Sequence, residues 1–164
     1  MTITVQPATT ADIEAIQALA EVIYTQQMPD TDQRARFLTR IYAPESLKRL
    51  LHADGSTVLV ARAPDANHER LVGLCSYGSP LLDECEDMKS IHRLLVHPDW
   101  DLHQVGEAFM IAIEEAFDDD SAIWRISVYV PEDNMTLIRF YAAMGFHHEM
   151  PEDKDGEWYM EYHL

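Results

Sequence analysis

Between Ile91 and Phe146 the chain passes through a short apolar strand, a His-Pro-Asp-Trp turn, a glycine-bearing helix, a second strand and an Asn-led helix, and this order constrains the fold more than any other feature. Ile91-His92-Arg93-Leu94-Leu95-Val96 is rich in branched side chains and stops just before Pro98, which reads as a strand. His97-Pro98-Asp99-Trp100 then turns the chain. Val105, Phe109, Ala112, Ile113 and Ala116 recur at three- and four-residue steps, which predicts an amphipathic helix from Val105 to Phe117 with Gly106 in its first turn. The acidic run Asp118-Asp119-Asp120 ends that helix, and Ile123 to Val130 is a β-rich run closed by Pro131. Asp133 or Asn134 caps a further helix whose apolar face is Leu137, Tyr141 and Met144, with Phe140 beside it, and Gly145 ends it.

A helix start offers unpaired N–H donors and a partial positive charge, which suits a pyrophosphate, and a residue without a side chain lets phosphate oxygens approach the backbone. Gly106 is the one glycine available for that purpose here. The order of elements therefore suggests a site built to hold a phosphate-bearing cofactor.

Leu94-Leu95-Val96-His97-Pro98-Asp99-Trp100, then Gln104-Val105-Gly106-Glu107-Ala108-Phe109-Met110, then Asn134 to Tyr141-Ala142-Ala143-Met144-Gly145-Phe146 resemble the cofactor-binding core of the GNAT superfamily of N-acetyltransferases. The resemblance implies that backbone groups of Leu94, Leu95 and Val96 meet the pantetheine arm of acetyl-CoA. It implies that Leu102, His103, Gln104, Gly106 and Glu107 surround the pyrophosphate. Asn134 and Tyr141 would also face the cofactor, with Tyr141 protonating the departing thiolate. The implied fold is a single α/β (α+β) domain over residues 1–164, a mostly antiparallel sheet of six or seven strands with helices on both faces.

The chain departs from the family pattern at the phosphate cradle. The family shows Gln or Arg, two variable residues, Gly, one variable residue, then Gly or Ala. Anchoring on the His-Pro-Asp-Trp turn puts Asp101 at the first position, Gln104 at the first glycine and Gly106 at the second. A shifted register, His103 to Ala108, restores Gly106 and Ala108 but needs an insertion and moves the helix face out of phase. A carboxylate about 5 Å from a phosphate charge, at an effective dielectric of about 20, is repelled by roughly 3 kcal/mol, on the order of a hundredfold in affinity. His103, when protonated, supplies a compensating cation.

The rest of the chain fits the same architecture. Ile3 and Val5 alternate with Thr2, Thr4 and Gln6 as a first strand, and Thr9 or Thr10 caps a helix through Tyr24 with Ile13, Ile16, Ala20 and Ile23 inward. Gln33 to Tyr42 and Ser46 to His52 read as one or two helices separated by Pro44. Thr57 to Ala63 and Leu71 to Tyr77 form a hairpin across the turn-rich Pro64 to Glu69, and Phe146 to Met150 with Trp158 to Tyr162 close the sheet.

Charge narrows the partners. Twenty-nine acidic residues against 12 basic ones give a net charge of −17, a surface that repels nucleic acid and anionic lipid and favours a cationic partner such as a polyamine, an aminoglycoside-like amine or a basic peptide. A merely solvated or salt-adapted surface has the same composition, and the runs Asp83-Glu84-Cys85-Glu86-Asp87 and Asp118-Asp119-Asp120 read as solvated loops. No apolar run approaches the roughly 20 residues that span a bilayer, and Met1 leads into a polar-alternating strand, so a cytoplasmic protein is expected. Cys75 and Cys85 are then free thiols. No His, Cys or carboxylate spacing has the form of a metal site. Exposed sheet edges near the C-terminus leave room for a homodimer.

Acetyl transfer to an amine needs an unprotonated amine, a polarised carbonyl and a proton for the leaving sulfur. A backbone N–H of Leu94 to Val96 is the candidate for polarisation. His92 shares position parity with Leu94 and Val96 and is the candidate base, relaying a proton from an ammonium substrate. Ser90, Glu132 and Glu84 are weaker candidates, and His147 and His148 point to opposite faces of a strand. The acceptor pocket would form from Met28 to Ala43 and Ser79 to Lys89. Two readings remain open: an acetyl-CoA-dependent N-acetyltransferase acting on a small amine, and a GNAT-like binding or regulatory protein in which Asp101 and Gln104 have weakened the cradle.

Overall fold

The computed structural model describes residues 2–80, 85–118 and 122–164, which leaves Asp83, Glu84, Asp119 and Asp120 outside the described residues. Strand β1 (Thr4–Pro7) leads to helices α1 (Ile13–Gln27), α2 (Thr31–Ile41) and α3 (Pro44–Leu51). The hairpin β2 (Ser56–Asp65) and β3 (His68–Gly78) follows, then β4 (Met88–Val96), α4 (Leu102–Asp118), β5 (Arg125–Pro131), α5 (Met135–Ala143), β6 (His147–His148) and β7 (Glu157–His163). Among the described residues the strands form a seven-stranded sheet in the order β1-β2-β3-β4-β5-β7-β6. It is mostly antiparallel, with β4 and β5 parallel, so the α/β class and sheet type implied by the sequence are those observed. No helix among these residues is long and apolar enough to cross a membrane.

The chain divides into two compact units, each assembled from separate segments: residues 1–76 with 93–109, and residues 77–92 with 110–164. In the first, Thr9 opens the way into α1 through a reciprocal box with Asp12, whose Oδ2 accepts from the Thr9 N–H at 2.8 Å. Asp12 also pairs with Arg62 of β2. Ile13, Ile16, Ala20 and Ile23 are buried as their helical spacing predicts, and α1 runs past Tyr24 to Gln27. They pack with Leu47 of α3, Val58 and Val60 of β2 and Leu74 of β3. Pro44 does not separate two helices from outside; it is the first residue of α3, where its missing N–H costs nothing. The hairpin strands extend further than composition suggests and leave only Ala66 and Asn67 as the loop, with Ala66 at φ +48° in the left-handed region. Gly73 of β3 is required by close packing: a Cβ there would lie 2.8 Å from Val105 and 2.9 Å from Phe109 of α4.

In the second unit β5 pairs antiparallel with β7 along its whole length, from Arg125↔His163 to Pro131↔Glu157. Asn134, not Asp133, caps α5, its Oδ1 accepting from the Leu137 N–H at 3.1 Å. Gly145 at φ +97° ends the helix. The buried face of α5 differs from the expected one. It runs through Ile138, Phe140 and Tyr141, while Leu137 and Met144 are only half-buried. Cys75 and Cys85 are free thiols, and burial pushes Cys75 up to about 12, so it stays a thiol.

Candidate active site

The first unit carries the second half of β4 and the start of α4. Leu95 is buried, while Leu94 and Val96 are half-buried on the opposite face. The turn after the strand is organised by His97, which is 5 % exposed. Its N–H donates to Val72 O of β3 at 2.8 Å, and its carbonyl accepts from the Trp100 N–H at 2.9 Å. Both ring nitrogens of His97 face donors, the Arg70 guanidinium 2.9 Å from Nε2 and the Asp99 N–H 3.1 Å from Nδ1. Burial, with the Arg70 charge second, holds the imidazole below its usual range, so it sits uncharged.

Helix α4 begins at Leu102, three residues before the sequence pattern places it, because Asp101 caps it. The Asp101 Oδ1 accepts from the Gln104 N–H at 2.9 Å and its carbonyl accepts from the Val105 N–H at 3.1 Å. Two consequences follow. Gly106 is in the second turn, not the first, and is buried. Also, the Asp101 carboxylate holds one of the backbone donors that a helix start offers to a phosphate. His103, Gln104 and Glu107 are exposed around this start, with Leu102 half-buried.

In the second unit Tyr141 is 1 % exposed, with its ring 5.0 Å from those of both Phe140 and Phe146. Asn134 is half-buried, its carbonyl oxygen committed to the α5 cap.

The same unit holds a recess of about 660 Å³, its open mouth included, built on the first half of β4. Met88, Ser90 and His92 line it from one face of the strand, joined by Ile91, Pro80, Ser127 and Tyr129 of β5, Tyr159 of β7, and Glu152 and Lys154 of the preceding loop. The parallel pairing of β4 with β5, Met88↔Arg125 to Ile91↔Val128, sets Ser90 opposite Ser127, and their hydroxyls are 2.5 Å apart. The Tyr159 hydroxyl donates to Glu161 Oε2 at 3.2 Å; burial and then the Glu161 charge push it up to about 12. Behind it, Arg125 joins Glu161 (3.2 Å) to Asp87 (3.1 Å) and holds the Asp87 carboxyl below the usual carboxylate range. His92 is half-buried, with Nε2 3.1 Å from Ser79 O.

Of the weaker candidates for a base, Ser90 is in the recess, Glu132 is exposed with its N–H given to Gly156 O, and Glu84 is outside the described residues. His147 and His148 have separate partners, Glu149 and Asp153. No cluster placed to hold a metal ion occurs among the described residues. The segment Met28 to Ala43 forms α2 and lines an open groove with Arg36, Phe37 and Arg40 in the first unit. Ser127, Tyr129, Lys154 and Tyr159 were not legible as site residues. The one available signal was a serine set between the apolar Ile126 and Val128.

The structure is similar throughout its length to the PaiA N-acetyltransferase of Thermoplasma acidophilum in complex with coenzyme A, with a TM-score of 0.80, 18% identity and 100% of both chains covered. It is also similar to the GNAT domain of S. lividans PAT (0.71, 19% identity, 100% of this chain and 92% of that one). Arabidopsis thaliana NAA60 in complex with acetyl-CoA is a third (0.70, 16% identity, 99% of each). No curated protein sequence matches the chain. The model of the acetyltransferase (GNAT) family matches residues 16–146, which span β4, α4, β5 and α5, and the chain belongs to that family.

Proposed function

We propose that this protein is an acetyl-CoA-dependent N-acetyltransferase that modifies the primary amine of a small, cationic substrate by direct attack. The observation that carries the reading is the build of β4. In its first half Met88, Ser90, Ile91 and His92 line the recess, and the strand then continues past its pairing with β5 through Leu94–Val96 to the capped start of α4. In this reading the side chains of Ser90 and His92 serve the acceptor amine and backbone groups of Leu94–Val96 serve the pantetheine arm.

In this reading His92 takes the proton of the bound ammonium, through water where needed, and the freed amine lone pair attacks the thioester carbonyl carbon. A backbone N–H of Leu94–Val96 polarises that carbonyl. The C–S bond then breaks, and Tyr141 gives its proton to the departing thiolate. Leu102, His103, Gln104, Gly106 and Glu107 surround the pyrophosphate, and Asn134 contributes its amide nitrogen. The net charge of −17 steers a cationic amine toward the surface.

Asp101 supports a second reading, a GNAT-like binding or regulatory protein, since its carboxylate holds the Gln104 N–H where a phosphate oxygen would be seated. Release of CoA thiol from acetyl-CoA, followed over a panel of amines, separates the two. Amine-dependent release that His92→Gln slows supports the enzyme; no release with any amine supports the binding protein.

A further inference from the structure

Lys154 stands in an acidic stretch, flanked by Glu152, Asp153, Asp155 and Glu157, yet among the described residues no carboxylate lies within 4.0 Å of its ammonium. Of the flanking acids, Asp153 has partners of its own. Asp153 accepts from the Tyr159 N–H at 2.7 Å and from His148 Nε2 at 2.8 Å, and the first of these holds its carboxyl below the usual range. The Lys154 backbone is pinned by two hydrogen bonds with Glu157, its N–H to Glu157 O at 3.1 Å and its carbonyl to the Glu157 N–H at 3.0 Å. From that fixed base the half-buried side chain reaches the recess wall and lays Nζ 3.8 Å from the centroid of the Tyr129 ring.

The rest of the lining shows what this ammonium can serve. Ser90, Ser127 and Tyr159 present neutral hydroxyls, and Pro80, Met88 and Ile91 are apolar. Glu161, the buried carboxylate behind Tyr159, is paired with Arg125, which it shares with Asp87. Among the described residues Glu152 is the one lining carboxylate, and it is exposed. A second cationic group of a ligand finds no aromatic seat at Tyr129, whose face Lys154 already covers, and meets a like charge beside it.

From these contacts we propose that the recess is a subsite for an anionic group, with Lys154 as its counter-ion, so that the acceptor is an amine that also carries a carboxylate, such as an amino acid with an apolar side chain. This rests on the acetyltransferase reading above and replaces its net-cationic substrate with a zwitterion whose one positive charge is the reacting ammonium. A polyamine fits less well. The apolar lining receives the side chain, the hydroxyls take hydrogen bonds, and the carboxylate completes the pair that the flanking acids leave unmade.

Initial rates with leucine, methionine and phenylalanine, each beside its C-terminal amide and beside spermidine, test the proposal, with binding of the N-acetylated products by calorimetry as a second readout. Lys154→Gln should raise KM for the amino acids roughly tenfold, as expected for a charge-assisted hydrogen bond, with little change in kcat or in KM for acetyl-CoA. KM for the amides should stay within about twofold, and Lys154→Arg should restore the preference. N-acetylated acids should likewise bind the wild type more tightly than their amides. Equal KM for acids and amides, or a preference for spermidine that Lys154→Gln leaves unchanged, overturns the anionic subsite and leaves the enzyme reading standing. Failure to acetylate any amine while product acids show no Lys154-dependent binding overturns both.

Discussion

At the start of α4 a carboxylate, Asp101, occupies a donor suited to a phosphate, whereas at the recess wall an ammonium, Lys154, stands clear of the acids that flank it in the chain. The difference comes from one preference acting twice. Asp101 and Asp153 both accept from backbone N–H groups, those of Gln104 and Tyr159. In a chain with 29 acidic residues the charge at a site is therefore set by which carboxylates the backbone captures, and the −17 total does not predict it. One site gains a negative charge it would do better without, and the other keeps a positive one.

The comparison can be broken most sharply behind the recess. Arg125→Met leaves Glu161 buried beside Tyr159 without its cation, and the expected loss is about 3 kcal/mol of unfolding free energy, in the range for breaking a buried pair. Denaturant titration that shows less than about 1 kcal/mol lost would mean the network does not support the recess. Next in size, Tyr141→Phe should lower kcat roughly a hundredfold, as for removal of a general acid, with acetyl-CoA affinity nearly unchanged. Unchanged turnover would remove that role from Tyr141.

A smaller effect is expected at the helix start. Asp101→Asn keeps a side-chain oxygen for the Gln104 N–H but removes the charge, so acetyl-CoA should bind several-fold more tightly, and more so at low salt. Asp101→Ala should instead cost about 1 kcal/mol of stability through the lost cap. The smallest effect concerns Asp153. Its carboxyl is depressed by the Tyr159 N–H, so the folded state binds fewer protons than the unfolded chain in acid. The stability it contributes is complete above the unfolded carboxyl value near 3.9 and is lost as pH falls through the lower folded value. Thermal scans between neutral and acid pH should show Asp153→Asn with a shallower acid decline; an identical decline would mean the hydrogen bond carries no stability.

Much of the fold was legible because periodicity and punctuation agree with packing. The stripe Ile13, Ile16, Ala20, Ile23 and the stops at Pro131 and Gly145 are read directly from spacing and residue type. The start of α4 was misplaced because Leu102, though in phase with Val105 and Phe109, stands alone before the polar His103 and Gln104, and the Asp101 cap brings all three into the helix. The face of α5 shifted because Leu137 and Ile138 are adjacent and both apolar, and spacing alone does not choose which of them packs inward. In the recess His92 was legible from strand parity, and Ser90 only as a weaker candidate base. Tyr159 and Lys154 were not, since they reach it through the β5–β7 pairing and a loop bridge that no local pattern encodes.

The most direct test of the central claim is calorimetric titration of the wild type and Asp101→Asn with acetyl-CoA at low and moderate salt. Micromolar binding by the wild type, tightened several-fold in the variant, is the predicted result for an acetyltransferase whose cradle carries one charge too many. No binding by either protein at millimolar acetyl-CoA would contradict it.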